Sequence, residues 1–501
     1  MVSEQLPSVQ SRAEGRIQVV ARMCKLVAST LAQKGREIEM RYTELRALVD
    51  DPARRRAIPS VELTTALLER AQAFQPQLGA FYSFRRDEAL VDAERVDARR
   101  QEGTPTPLDG MPIGIKDNID VAGLPTTAGS AAFKTNIPVR DAEVVRRLRA
   151  AGAVVIGKTA LHELAFGSTC DSAWFGRTSN PWDLERLPGT SSCGSGVALS
   201  VDLCIGALGS DTGGSIRAPA SFQSVCGLRP TTGSVSTRGL VSLSWNLDTI
   251  GPMARNVRDV ADLYAVMRGV DPEDPHSRSV PAAVPVLDPT AKRTTHLRIG
   301  IPRLFFYEQL DSDVSEVIEA ALRVLAGLGA TMHEVALSDA ANVRPAALRV
   351  MRSDAWAAHR DLVERSPELL SSDIRDNLLA AKDETAGDYS RSLEELSRWS
   401  ARIDAVFDSV DLLALPTTPC VAPLISDVEA WKDFRMGRCT LPWSAAGTPA
   451  LSIPAGLTRT GLPVGLQLVA RRWHEGTLFR VGHAFQSVTD WHHRRPLHAT
   501  R

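Results

Sequence analysis

The segment from Leu208 to Ala220, LGSDTGGSIRAPA, holds a serine flanked by glycines and almost no bulky side chain. Gly213 and Gly214 bury no side chain and lose more backbone entropy on ordering than any other residue type, so packing alone does not account for them. Two glycines ahead of Ser215 let successive backbone N–H groups turn toward one point beside the hydroxyl. That arrangement holds a developing oxyanion in acyl transfer. A tight turn or an anion-binding nest is the other reading of the same glycines.

A nucleophilic serine needs a base. The histidine nearest these segments, His162, lies in Leu161-His162-Glu163-Leu164, which reads as packing on a helix, and no G-x-S-x-G elbow surrounds Ser215. Lysine is the alternative. Lys116 ends the apolar run from Gly110 to Ile115, where an ammonium group loses water. An ordinary lysine value of ~10.4 must fall by roughly three units, ~4 kcal/mol, before the amine is free at neutral pH, and burial supplies shifts of that size. Between the two in sequence, residues 188–196 (PGTSSCGSG) set hydroxyls and a thiol among glycines. A hydroxyl there can relay a proton from nucleophile to lysine; in isolation the loop reads as a helix N-cap with a flexible lead-in.

The elements that must hold these groups follow from hydrophobic periodicity. Helices are predicted from Ser60 to Gln75-Pro76, over 87–101, 141–151 and 312–327, and through most of 341–408. Strands are predicted over 153–156, 297–302 and 330–337, with Gly157-Lys158-Thr159 as a turn. Buried strands over 412–416, 449–454 and 464–469 return to the central sheet. This alternation argues for an α/β layer structure with a mixed or parallel sheet between helices. Residues 58–501 read as one large domain. Residues 1–57 read as a helical extension, amphipathic over 16–32, with a hint of a homodimer, and ending in a solvated charged stretch at 50–56.

Composition narrows the partners. The chain has 501 residues, 44% hydrophobic, and 58 basic against 59 acidic side chains. No basic footprint for nucleic acid stands out, and a small molecule is the expected partner. The seven cysteines are scattered and form no CxxC pair, which argues against a disulfide framework or a zinc site and for a reducing cytoplasm. The N-terminus shows no secretory signal pattern, and no run approaches the ~18 apolar residues of a membrane span.

Three ordered motifs, Gly114-Ile115-Lys116-Asp117-Asn118, the loop around Ser191, and Gly209-Ser210-Asp211-Thr212-Gly213-Gly214-Ser215-Ile216-Arg217, together resemble the amidase signature family. The similarity continues through Cys226 to Thr231, Leu247 to Met253 and Leu415 to Thr417. The resemblance implies a single large domain whose mixed β-sheet is covered by helices on both faces, no cofactor or metal, and a small amide substrate. It also implies a Ser-cisSer-Lys triad: Ser215 attacks, Ser191 relays the proton after an unusual cis peptide, and neutral Lys116 is the base. The N–H groups of Thr212, Gly213, Gly214 and Ser215 then form the oxyanion hole, Asp211 and Arg217 brace the loop, and Ser192 and Ser195 are supporting hydroxyls.

Two positions depart from the family pattern. Thr190 and Cys193 stand where the family's loop has glycines; they are expected to fill space and shape the substrate pocket, with Cys193 a small half-buried thiol. Gly437 stands where the family's amidotransferase subunits carry a carboxylate for the substrate's ammonium group. With Trp431, Phe434, Met436 and Trp443 as apolar pocket candidates, the favoured reading is a stand-alone hydrolase of neutral or aromatic amides, anilides, carbamates or ureas. A glutaminase subunit of a tRNA-dependent amidotransferase and a non-catalytic binding protein are the alternatives.

Overall fold

The computed structural model describes residues 42–279, 296–427 and 432–497. Its centre is a mixed sheet of eleven strands: β1 (Phe81–Phe84), β2 (Pro112–Lys116), β3 (Val154–Thr159), β4 (Gly206–Asp211), β5 (Cys226–Arg229), β6 (Thr249–Ala254), β7 (Arg298–Ile301), β8 (Thr331–Glu334), β9 (Leu412–Pro416), β10 (Ala450–Leu457) and β11 (Pro463–Ala470). Their spatial order is β1-β3-β2-β4-β6-β5-β10-β11-β9-β7-β8. β2 runs parallel to both β3 and β4, and β7 runs parallel to β8 and β9; the other neighbours are antiparallel.

The period of two along these strands sends alternate side chains into separate cores. Leu412 and Ala414 join the core built with helices Val257–Met267, Ser312–Gly327 and Glu475–Ser487, whereas Leu413 and Leu415 join the core built with Ala340–Arg365 and Ala386–Val406. Across the sheet, Ile113 and Ile115 of β2 enter the first core, and Val154 and Ile156 of β3 enter a third, shared with Arg86–Gln101 and Cys193–Ser200. Helices therefore cover both faces. The buried runs at 412–416, 449–454 and 464–469 do return to the sheet, as their apolar character requires.

Several local expectations change. Residues 157–159 continue β3 instead of turning, because parallel pairing with β2 extends to Lys116↔Thr159. The helix begun at Ser60 passes through Pro76 to Leu78; proline there falls in the last turn, and Gly79, at φ 58°, ends the helix. The strand expected over 330–337 shortens to the edge strand β8. The charged stretch at 50–56 is not a solvated linker: Pro52–Arg56 is helical, and Arg55 is buried against the Asp259 carboxylate. Residues 42–50 are helical too, with Tyr42, Leu45 and Val49 buried. The amphipathic segment 16–32 lies outside the described residues. Among the described residues no helix is long and apolar enough to cross a membrane.

Candidate active site

β2 carries Lys116 at its C-terminal end. Since Ile113 and Ile115 face one core, alternation turns Lys116 to the opposite face, toward the loop that precedes helix Cys193–Ser200. The lysine is fully buried. Its Nζ donates to Ser191 Oγ at 2.8 Å and to Ser210 Oγ at 2.8 Å. No carboxylate among the described residues lies within ion-pair distance of it. Burial lowers its pKa from the ordinary value to about 7, and Asp248 and Asp211 offset only part of that.

The parallel neighbour β4 ends in Asp211, from which the chain enters the glycine loop. Gly209 is glycine because a Cβ there would stand 2.8 Å from Ser192 Oγ. The buried Asp211 carboxylate accepts from the Gly214 N–H (2.9 Å), the Ile216 N–H (3.1 Å) and both arms of Arg217 (2.9 and 3.0 Å), with Arg229 at 3.3 Å. Burial pushes this carboxyl up, but the two guanidiniums outweigh it and hold it far below the usual carboxylate range. Arg217 extends the brace to the Thr440 carbonyl, Gln467 and Ser444. Asp248 anchors the other side, accepting from Thr212 Oγ1 at 2.5 Å and from three donors of the 242–244 segment.

This bracing sorts the four N–H groups expected to face an oxyanion. Gly214 drops out, because its N–H is spent on Asp211. It sits at φ 136°, where a Cβ would meet Thr440 Oγ1 at 2.2 Å, so this glycine serves the loop's path. The N–H groups of Thr212, Gly213 and Ser215 have no acceptor among the described residues. All three residues line a cavity of about 330 Å³.

Ser215 is the member of the Lys116–Ser191–Ser215 set that meets this cavity, at 6% exposure against 0% for the other two. The Ser191 carbonyl accepts the His162 N–H at 3.4 Å, the Ser192 N–H reaches the Ser215 carbonyl at 3.2 Å, and Ser192 Oγ donates to the Ser210 carbonyl. Ser195 Oγ donates to the Leu208 carbonyl, tying the loop's helix to β4. No hydrogen bond joins Ser191 Oγ to Ser215 Oγ. The expected cis peptide is absent: no described peptide bond is cis.

The pocket differs most from expectation. Its walls are His162, the 165–169 segment, Leu243, and two helices: Ala340–Arg365, presenting Leu348, Met351 and Arg352, and Ser372–Leu379, presenting Asp373 and Asn377. Trp443 is instead a core residue stacked on Phe306 at 5.0 Å, and Met436 packs with Leu187, Phe222, Cys420 and Ala422. Thr190 is buried with its hydroxyl directed to the Gly214 carbonyl. Trp431 and the side chain of Phe434 lie outside the described residues. Cys193 is no free thiol. It forms a disulfide with Cys170, joining the pocket-wall segment to the Ser191 loop, a proximity that scattered cysteine positions do not reveal.

Sequence reasoning does not single out Ser210 or Asn118, whose Nδ2 shares the Ser210 hydroxyl with Lys116. Both stand inside the family-like motifs, and a polar residue beside a buried amine is the signal that could have found them. His162, expected only to pack, is buried, lines the cavity, accepts the Cys170 N–H on Nδ1, and lies 3.6 Å from Asp373. Arg352, Asp373 and Asn377 carry no sequence signal at all.

A buried lysine on a parallel strand stands beside a serine loop and a braced glycine loop, the arrangement expected from the sequence motifs. Solved structures share the whole architecture: peptide amidase from Stenotrophomonas maltophilia, 33% identical, with 90% of this chain and 97% of that one covered at a TM-score of 0.79, and a 6-aminohexanoate cyclic dimer hydrolase, 28% identical, with 88% and 96% covered at 0.78. A glutamyl-tRNA(Gln) amidotransferase subunit from Chloroflexus aggregans is 40% identical over 470 residues, covering 88% of this chain and 95% of that protein. The family profile described as Amidase matches residues 62–479, and the chain belongs to the amidase signature family, whose chemistry is amide C–N hydrolysis.

Proposed function

We propose that the chain hydrolyses small linear amides through an acyl-enzyme on Ser215, with Lys116 as base and Ser191 as relay. The observation that carries this reading is the fully buried Lys116, poised near neutrality and hydrogen-bonded to Ser191 beside the Ser215 loop. As Ser215 Oγ bonds to the acyl carbon, its proton passes to Ser191 Oγ, whose own proton goes to Lys116 Nζ. Charge developing on the carbonyl oxygen meets the N–H groups of Thr212, Gly213 and Ser215. The proton returns along the same path to the leaving nitrogen as the C–N bond breaks, and water, activated through the relay, releases the acid. Catalytic hydrogen bonds commonly tighten only as substrate binds, and the relay requires a Ser191–Ser215 hydrogen bond to form at that step.

Carbamates, ureas and anilides share this acyl chemistry, so all belong in the substrate panel. The preference for neutral or aromatic amides loses two of its supports, because Trp443 and Met436 are core residues, and keeps Gly437 in place of the amidotransferase carboxylate. A fluorophosphonate is expected to label the wild type at Ser215 and to leave a Ser215→Ala variant unlabelled; labelling elsewhere, or none, defeats the reading. A glutamine-hydrolysing subunit is the second reading, favoured by the 40% identity to an amidotransferase relative. Glutamine turnover exceeding every other amide in the panel, together with co-purification of a second subunit, would establish it.

A further inference from the structure

Resting on Ser215 chemistry in the cavity above, the balance of charge on the cavity's walls says more about its substrate. Leu348, Met351 and Arg352 recur at i, i+3 and i+4 on helix Ala340–Arg365 and so share the face over the cavity. Asp373 and Asn377, spaced i, i+4 on helix Ser372–Leu379, form the facing wall. The one carboxylate on these walls, Asp373, has a side chain 58% exposed and lies 3.6 Å from His162 Nε2, and that ring holds its carboxyl down at about 2. The half-buried Arg352 guanidinium has no hydrogen bond and no ion pair with any described residue.

The contrast within the fold is with Arg217 and Arg229, fully buried and both paired on Asp211. The guanidinium lines the same cavity as Phe166, Leu243, Leu348 and Met351 and leaves its five N–H donors without a protein partner among the described residues. Its planar fork matches a carboxylate. We propose that Arg352 is the specificity residue of the cavity and receives a carboxylate borne by the amide substrate. The enzyme is then a hydrolase of small anionic amides, and the dicarboxylate product follows when the carboxylate lies on the acyl side. At about 330 Å³ the cavity is at the small end of ligand pockets, which suits a short substrate held at both ends.

The test compares two series of primary amides of equal chain length, one ending in a carboxylate (succinamate, glutaramate, adipamate) and one in a methyl group, on the full chain. The wild type is expected to favour the carboxylate series by about 10- to 100-fold in kcat/KM, the range of a charge-assisted hydrogen-bonded pair. Arg352→Gln is expected to collapse that ratio to about 1, chiefly through KM, with Arg352→Lys retaining part of it. Equal rates for the two series in the wild type, or a ratio that survives Arg352→Gln, overturns the proposal. Direct binding of glutarate to a Ser215→Ala variant, with and without Arg352→Gln, keeps the two readings apart. Glutarate binding that depends on Arg352 supports the anion site even if Ser215 proves unreactive, and binding indifferent to Arg352, or none, sinks it even if Ser215 is labelled.

Discussion

Lys116 and Lys158 stand on neighbouring parallel strands, both fully buried, and have opposite surroundings. Register pairs Lys116 with Thr159 and Lys158 with Ile115, so the two side chains leave the sheet on opposite faces. Lys158 meets the Asp117 carboxylate at 3.0 Å, the Thr126 hydroxyl at 2.9 Å and the Pro125 carbonyl. Burial lowers its pKa, and Asp117 opposes that shift. Lys116 meets only hydroxyls and, at 3.5 Å, one carbonyl. Burial depth therefore does not distinguish the two lysines. The lack of a carboxylate partner does so, because nothing nearby repays the cost of keeping the ammonium dehydrated.

Methionine at each position separates the two most sharply. Lys116→Met is expected to lower kcat/KM by about 10³- to 10⁴-fold, the upper range for a general base, while the melting temperature stays level or rises because a costly buried amine has been removed. Lys158→Met is expected to cost about 3–5 kcal/mol of stability in denaturant titrations, because Asp117 is left buried without its cation. A destabilised Lys116→Met or a stable Lys158→Met would break the contrast.

The pH dependence sharpens it. Only the neutral Lys116 amine accepts a proton, so kcat/KM is expected to climb about tenfold per pH unit up to about 7 and then level off. The stability sign is separate: between about 7 and the unfolded value of ~10.4 the unfolded chain holds the extra proton, so this residue's contribution to stability rises with pH across that window. Lys116→Met should flatten that rise in unfolding experiments at several pH values. The smallest change expected is from Ser210→Ala. Losing an acceptor for the ammonium form lowers the Lys116 value further, moving the acidic limb of the rate profile down by up to about one unit with at most roughly tenfold loss of rate.

The candidate catalytic groups were legible because each sits in a local signal: a lysine closing an apolar strand, serines and glycines in stretches too small to pack, and apolar runs long enough only for strands. Those patterns depend on neighbours along the chain, and so the sheet, its layers and the Lys116–Ser191–Ser215 set follow from sequence. The Gly214 N–H was misassigned because its acceptor, Asp211, is reached only once the loop folds back on itself. The pocket walls, for which Met436 and Trp443 were misassigned, escaped for a larger reason. They come from segments near 162–169, 243, 348–352 and 373–377, brought together by helices packing over the sheet, and no one segment carries a mark of the cavity it lines. Sequence determined which side chains are the candidates for chemistry, since reactivity is written in residue types and short spacing. Tertiary structure alone decided what those side chains face, since a cavity is a property of surfaces that meet only when distant parts of the chain are buried against each other.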